Sequence, residues 1–166
     1  MLTDIAEEFS TKAMPEKTLP VDWNIKPTQD IYIIKNETIN IASWGLIAPW
    51  SKDSIQALKS QSQAINARAE SVHEKPTFRN AFRNRRCLVP ASGYYEWATE
   101  LGRYKTKQPV FISRDDDKLL AFAGIYDSWI SPEGEIRDSV AIITRDAIGD
   151  LAKVHNRMPL FLPRDR

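Results

Sequence analysis

Ile31-Tyr32-Ile33-Ile34-Lys35-Asn36-Glu37-Thr38-Ile39-Asn40-Ile41-Ala42-Ser43-Trp44 is the stretch that decides the fold. Two runs rich in β-branched and aromatic residues, Ile31 to Ile34 and Ile39 to Trp44, flank the polar Lys35-Asn36-Glu37-Thr38, the pattern of a β-hairpin. Comparable runs follow at Cys87 to Pro90, Gly93 to Trp97, Val110 to Ser113, Leu119 to Ile125, Val140 to Thr144 and Leu160 to Leu162. Helical spacing is confined to short segments. Leu2, Ile5, Ala6 and Phe9 mark one, and residues 51–62 form a second. Thr77 to Asn84 forms a third, with Phe78 and Phe82 turned inward and Arg79 and Arg83 displayed, and Asp146 to Lys153 a fourth. Pro15, Pro20 and Pro27 limit regular structure before Ile31. Many short strands with few short helices predict an α+β fold, an antiparallel β-rich, barrel-like sheet with flanking helices, and not alternating βαβ units.

With 166 residues, 42% of them hydrophobic, the chain suits one domain over 1–166, with its own core and no room for a second. No repeat, low-complexity tract or linker interrupts it. Cys87 is the single cysteine, which excludes an intramolecular disulfide and a Cys-rich zinc site; no metal or cofactor is expected. No stretch reaches the length of a membrane-spanning helix, and Met1-Leu2-Thr3-Asp4 lacks the basic, then apolar, profile of a signal peptide. The expectation is a cytoplasmic monomer.

The net charge of +1 identifies no partner, but its distribution is uneven. The first thirty residues are net acidic. Between Asn66 and Arg86, Arg68, Lys75, Arg79, Arg83, Arg85 and Arg86 stand against Glu70 and Glu74. A local basic face is what phosphate contacts need, although a solvated helix surface has the same composition.

Four segments place polar side chains in β-favouring, apolar surroundings, where burial costs free energy unless the group is paired or used. They are Asn66-Ala67-Arg68-Ala69-Glu70, Cys87-Leu88-Val89-Pro90-Ala91-Ser92-Gly93-Tyr94-Tyr95-Glu96-Trp97, Lys107-Gln108-Pro109 and His155-Asn156-Arg157-Met158-Pro159. Asn66, Arg68, Glu96, His155 and Arg157 together suit anion binding, the holding of a sugar or aldehyde, and proton movement. Glu96 is a candidate general acid/base if its strand turns it toward the core, and a solvated residue if not. His155 is either a second acid/base group or a structural hydrogen-bond partner. Trp44-Gly45-Leu46-Ile47-Ala48-Pro49-Trp50 brings two indoles to one turn, for stacking on unpaired bases or for the core.

Trp23-Asn24-Ile25-Lys26-Pro27-Thr28-Gln29, Trp44 to Trp50, Asn66 to Glu70, Arg86 to Trp97 and His155 to Pro159 resemble in order and spacing the SOS-response-associated peptidase family, over nearly the whole chain. The resemblance implies recognition of abasic sites in single-stranded DNA, the bound protein being associated with the nucleoid. It also implies a covalent thiazolidine linkage between the ring-opened sugar and an N-terminal cysteine exposed by Met removal, with self-processing peptidase and lyase-like chemistry. Asn66 then matches the residue contacting the sugar, Glu96 the proton-transfer carboxylate and His155 the histidine of Schiff-base chemistry. Arg68 and Arg157 match phosphate-contacting arginines, and Trp44 and Trp97 aromatic residues near the DNA. The chain departs from the family in beginning Met1-Leu2-Thr3-Asp4 where members begin Met-Cys-Gly-Arg, in Lys26 where alanine is usual, and in ending at Arg166. Truncation at both ends is the expectation drawn from this. Three classes stay open: the crosslinking enzyme, a non-crosslinking single-stranded DNA binder, and a thiol peptidase using Cys87 with His155.

Overall fold

The structure, a computed structural model, describes residues 1–99 and 104–163. What the end at Arg166 suggested lies outside them. The Asn36-Glu37 pair adopts positive φ, 49° and 59°, which closes the first hairpin with a two-residue turn matched to strand twist. Strands β1 (Asp30–Lys35) and β2 (Thr38–Trp44) therefore pair antiparallel in the register Ile33 to Asn40. Strand β3 (Asn66–Arg68) follows, then β4 (Arg86–Ala91), β5 (Tyr94–Trp97), β6 (Pro109–Ile112), β7 (Leu120–Ile130), β8 (Ile136–Asp146) and β9 (Arg157–Pro159).

Antiparallel pairing runs β2-β1-β4-β7-β8, and the parallel pairing of Ser43-Trp44 with Ser139-Val140 closes the ring between β2 and β8. The barrel-like sheet expected from the sequence is thus a closed five-stranded mixed barrel. So small a barrel is filled by its own side chains. Ile31, Ile33, Ala42, Cys87, Val89, Leu120, Phe122, Val140 and Ile142 form that filling.

The opposite faces are covered by short helices. Helix α1 (Leu2–Glu8) buries Ile5 against Tyr32, Ile34 and Ile39. Helix α2 (Ser54–Gln63) starts at Asp53, whose carboxylate accepts the Gln56 N–H at 2.8 Å. In α3 (Arg79–Asn84) and just before it, Phe82 and Phe78 pack on the second core with Ala141 and Ile143, leaving Arg79 and Arg83 exposed. Arg85 leaves the expected basic face: it is ion-paired to the buried Asp127 at 3.2 Å.

Two expectations fail at the same place. Residues 146–153 do not form one helix; Asp146 completes β8, and only Gly149–Lys153 makes a 3-10 turn. The strand expected at 160–162 begins earlier, because the chain pairs with β8 already at Arg157, opposite Asp146. Proline is compatible with such a short, peripheral strand. Residues 160–162 then run on beside β7, with Leu160 O accepting from Ala123 N and Leu162 N donating to Ala121 O.

Candidate active site

Strand β8 extends past the barrel, and its protruding end makes the site. There β3 pairs with it in parallel on one side, Asn66 opposite Ile142 and Arg68 opposite Thr144. On the other side β9 pairs antiparallel, Pro159 opposite Thr144 and Arg157 opposite Asp146. Because side chains alternate along a strand, one face of this patch carries Asn66, Arg68, Thr144, Asp146 and Arg157. It is the face that, further down β8, lines the barrel with Ile142 and Val140. Ala67, Ile143 and Met158 point the other way and are buried. The sequence reading left Asn66-Ala67-Arg68 without a secondary structure: three residues are too few for a visible period, and the pairing partner lies 76 positions away.

The direct link between the two motifs is an ion-pair cluster. The guanidinium of Arg157 bridges both Glu70 oxygens, Nη1 to Oε1 at 2.8 Å and Nη2 to Oε2 at 3.0 Å. Nη1 also reaches Asp146 Oδ1 at 2.7 Å, and Nη2 donates to the Thr144 hydroxyl at 3.1 Å. Hydrogen bonding to Arg157 holds the Glu70 carboxyl down to about 2 and raises the guanidinium's own value. Glu70, Thr144 and Asp146 were not among the site residues expected. Glu70 stood in a quoted motif, but nothing in a sequence marks it as the partner of an arginine 87 residues on.

Arg68, by contrast, keeps 66% of its side chain exposed and touches Glu70 only at 3.8 Å. Asn66 is exposed two residues before it. Trp44 stands behind Asn66: half-buried against the barrel core, it donates its indole N–H to Ile65 O at 3.1 Å. It braces the β3 backbone, the core option of the two the sequence left. The next residue, Gly45 at φ 117°, lets the chain pass close to the end of helix α2, since a Cβ there would lie 2.4 Å from Gln61 O.

His155 is half-buried after the 3-10 turn, and its Nδ1 accepts the Arg157 backbone N–H at 3.0 Å. Strand β5 comes alongside through Thr99 N donating to Val154 O at 2.9 Å. On β5, Tyr94 and Glu96 share the half-buried face, with Tyr94 packed on Phe122 and Phe161, while Tyr95 and Trp97 are exposed on the other. The Glu96 carboxylate accepts the Trp97 N–H at 3.1 Å; among the described residues no hydrogen bond joins it to Asn66 or His155. Trp97, 55% exposed, therefore faces away from Glu96. Lys107-Gln108-Pro109 closes the β5–β6 hairpin, with Lys107 N donating to Ala98 O.

Cys87 belongs elsewhere. It sits inside the barrel, 7% exposed, and burial pushes its thiol up to about 12. Such a thiol is not a nucleophile at neutral pH, so the pairing of Cys87 with His155 as a thiol peptidase is set aside. Among the described residues no group of three His, Cys, Asp or Glu is assembled as a metal would require.

Residues 2–166 match the family model described as SOS response associated peptidase (SRAP). The chain is 38% identical over 164 residues to Abasic site processing protein YoqW of Bacillus subtilis, covering 96% of this chain and 70% of that protein. It is 36% identical over 167 residues to Abasic site processing protein YoaM of the same organism, covering 98% and 71%. A crystal structure of a protein from Bordetella bronchiseptica superposes with a TM-score of 0.83 at 26% identity, over 99% of this chain and 81% of that one. Among the described residues no helix is long and apolar enough to cross a membrane.

Proposed function

We propose that this chain, which belongs to the SOS response associated peptidase family, recognises abasic sites in single-stranded DNA at the protruding end of β8. The observation that carries the reading is the joining there of two sequence-distant motifs, Asn66 and Arg68 on β3 with His155 and Arg157 at β9. The names of the relatives, abasic site processing proteins, supply the substrate.

An abasic site lacks a base to read, so recognition falls on sugar and phosphate. Asn66, with a donor and an acceptor on one short amide, suits the hydroxyl and aldehyde oxygens of the ring-opened sugar. Arg68 is free to take a phosphate, and such contacts position a strand without reading sequence. Arg157 lies on the same face, its charge balanced there by Glu70 and Asp146. Trp97, exposed on β5, offers a stacking surface at the edge of the site, with Trp44 holding β3 from beneath.

In a protein of this kind bearing an N-terminal cysteine, the neutral α-amine adds to the aldehyde carbon and water leaves, giving an imine. The thiolate then adds to the imine carbon and a proton returns to nitrogen, closing a thiazolidine. An α-amine is the right nucleophile because it is neutral at far lower pH than a lysine. Glu96 and His155 are the groups proposed to move or hold protons during these steps. Reversal of the same steps, with water re-adding to the imine carbon, releases the protein; a lyase-like outcome instead needs loss of a proton from the imine's α-carbon and departure of the 3′ phosphate, and self-processing needs hydrolysis of the peptide bond before the cysteine.

The experiment uses single-stranded DNA carrying one abasic site. The 166-residue chain binds it and forms no heat-stable adduct, whereas the chain extended at its start by a Met-Cys-Gly-Arg segment forms one after Met removal. A shifted band from the unextended chain on a denaturing gel overturns the mechanism. Absence of binding by both overturns the function.

A further inference from the structure

We propose that Glu70 is a positioning residue: by clamping the Arg157 guanidinium it holds the Arg157 backbone N–H on His155 Nδ1, so that neutral His155 carries its proton on Nε2 and offers it as a hydrogen-bond donor. The inference concerns the free protein; only the identity of the oxygen that receives the bond rests on the reading above.

The chain of contacts is short. A nitrogen that accepts a hydrogen bond must keep its lone pair, so an Nδ1 that takes the Arg157 N–H at 3.0 Å leaves Nε2 as the protonated nitrogen of the neutral ring. A base acting through Nε2 would need the opposite tautomer and would forfeit this bond. Neutral His155 is thereby an electrophile that polarises an oxygen, and the proton-accepting role falls to Glu96.

Two contacts hold the Arg157 N–H in place: the carbonyl of its own peptide, Asn156 O, accepts the Ala147 N–H at 2.9 Å, and the Arg157 side chain is anchored by its carboxylate partners. Strand β9 has three residues, and Arg157 is its first, where a ladder frays most easily. Four of the five guanidinium N–H groups are spent on Glu70, Asp146 and Thr144, and 16% of the side chain remains exposed. The carboxylate of Glu70 comes from just beyond β3 and that of Asp146 from β8, so the clamp ties β9 to β8 and, across β8, to the segment that follows β3. A fork so fully engaged acts as a buttress. The same distances leave phosphate gripping to Arg68, whose one ion pair is loose.

The test is nuclear magnetic resonance of the 15N-labelled 166-residue chain at pH 7.5, reading the two imidazole nitrogens of each histidine through long-range proton couplings. Exposed His73 serves as the internal comparison, and a His73→Gln variant assigns the signals. The expected result is a His155 with a pyridine-like Nδ1 and a pyrrole-like Nε2. Glu70→Ala should move both signals toward tautomer-averaged positions, with the minor tautomer rising severalfold, and Glu70→Gln, which keeps the shape and one acceptor, should fall between. If Glu70→Ala fails to fold, Glu70→Gln alone decides the matter. A pyrrole-like Nδ1 in the unsubstituted protein, or unchanged signals in the folded Glu70 variants, overturns the proposal. Because no DNA is present, that outcome is separate from any failure of DNA binding.

Discussion

The two halves of β8 make opposite use of one strand. Its lower half puts Val140 and Ile142 inside a closed barrel, with Ala141 and Ile143 buried on the other face. Its upper half puts Thr144 and Asp146 on the same face that Val140 and Ile142 occupy, but beyond the ring, flanked by β3 and β9. Below, the side chains need only be apolar and of the right volume. Above, Thr144 and Asp146 are both matched to Arg157 from another part of the chain. The candidate site is therefore the barrel's interior face continued past the point where the barrel closes, on a strand whose lower half is core.

The largest effect expected is in the barrel core that the lower half of β8 helps to fill. Ile33→Ala, at a fully buried position in the barrel, should lower unfolding stability by roughly 2–5 kcal/mol in a denaturant titration, whereas exposed Asn66→Ala should shift it by no more than about 0.5 kcal/mol. Equal losses would dissolve the distinction between the halves.

Next comes chemistry. In the chain extended with Met-Cys-Gly-Arg, Glu96→Gln should slow adduct formation about a hundredfold. A rate within twofold of the unsubstituted protein would remove Glu96 from proton transfer.

Smaller effects distinguish the two arginines. Arg68→Ala should flatten the salt dependence of single-stranded DNA binding by about 0.7 in the logarithmic slope, equally for all sequences. Arg157→Ala should weaken binding more than Arg68→Ala, because it leaves Glu70 and Asp146 uncompensated on the binding face. The reverse order would show that Arg157 is not held as described.

The smallest changes concern titration. Glu70 is depressed, so the clamp is fully present above the ordinary carboxyl range and is lost only as pH falls toward about 2. A carboxyl resonance of Glu70 titrating near 4.5 would break the clamp. Cys87, held protonated up to about 12, should resist a small alkylating reagent in the native state at pH 7.5. Stoichiometric labelling there would reopen the thiol.

Much of this was legible in advance, and the reasons differ by region. The β1–β2 hairpin was plain because both strands and their turn lie within the single stretch Asp30 to Trp44 and carry β-branched residues at most of the buried positions. The α1 spacing was legible for the same local reason. The resemblance pointed to Asn66, Arg68, Glu96, His155 and Arg157, and the structure places the first two on β3 and the last two at the start of β9, on either side of β8. It did not disclose that Arg157 is saturated by Glu70, Asp146 and Thr144, or that Trp44 braces β3. Asp146 was misread as the start of a helix because its strand role depends wholly on Arg157 opposite it.

What the sequence by itself determined is the β-rich, short-helix character, the first hairpin and the order of the motifs, since these follow from local period, turn chemistry and composition; it caught only part of the 11-residue strands β7 and β8 and none of β3. Only the tertiary structure decided that β2 meets β8 in parallel to close a barrel, that Cys87 is sealed inside it, and which charged groups neutralise one another at its end. Those outcomes rest on pairings between residues tens of positions apart. Backbone hydrogen bonds, burial and charge compensation select such pairings only once the whole chain is packed, and no local pattern records them.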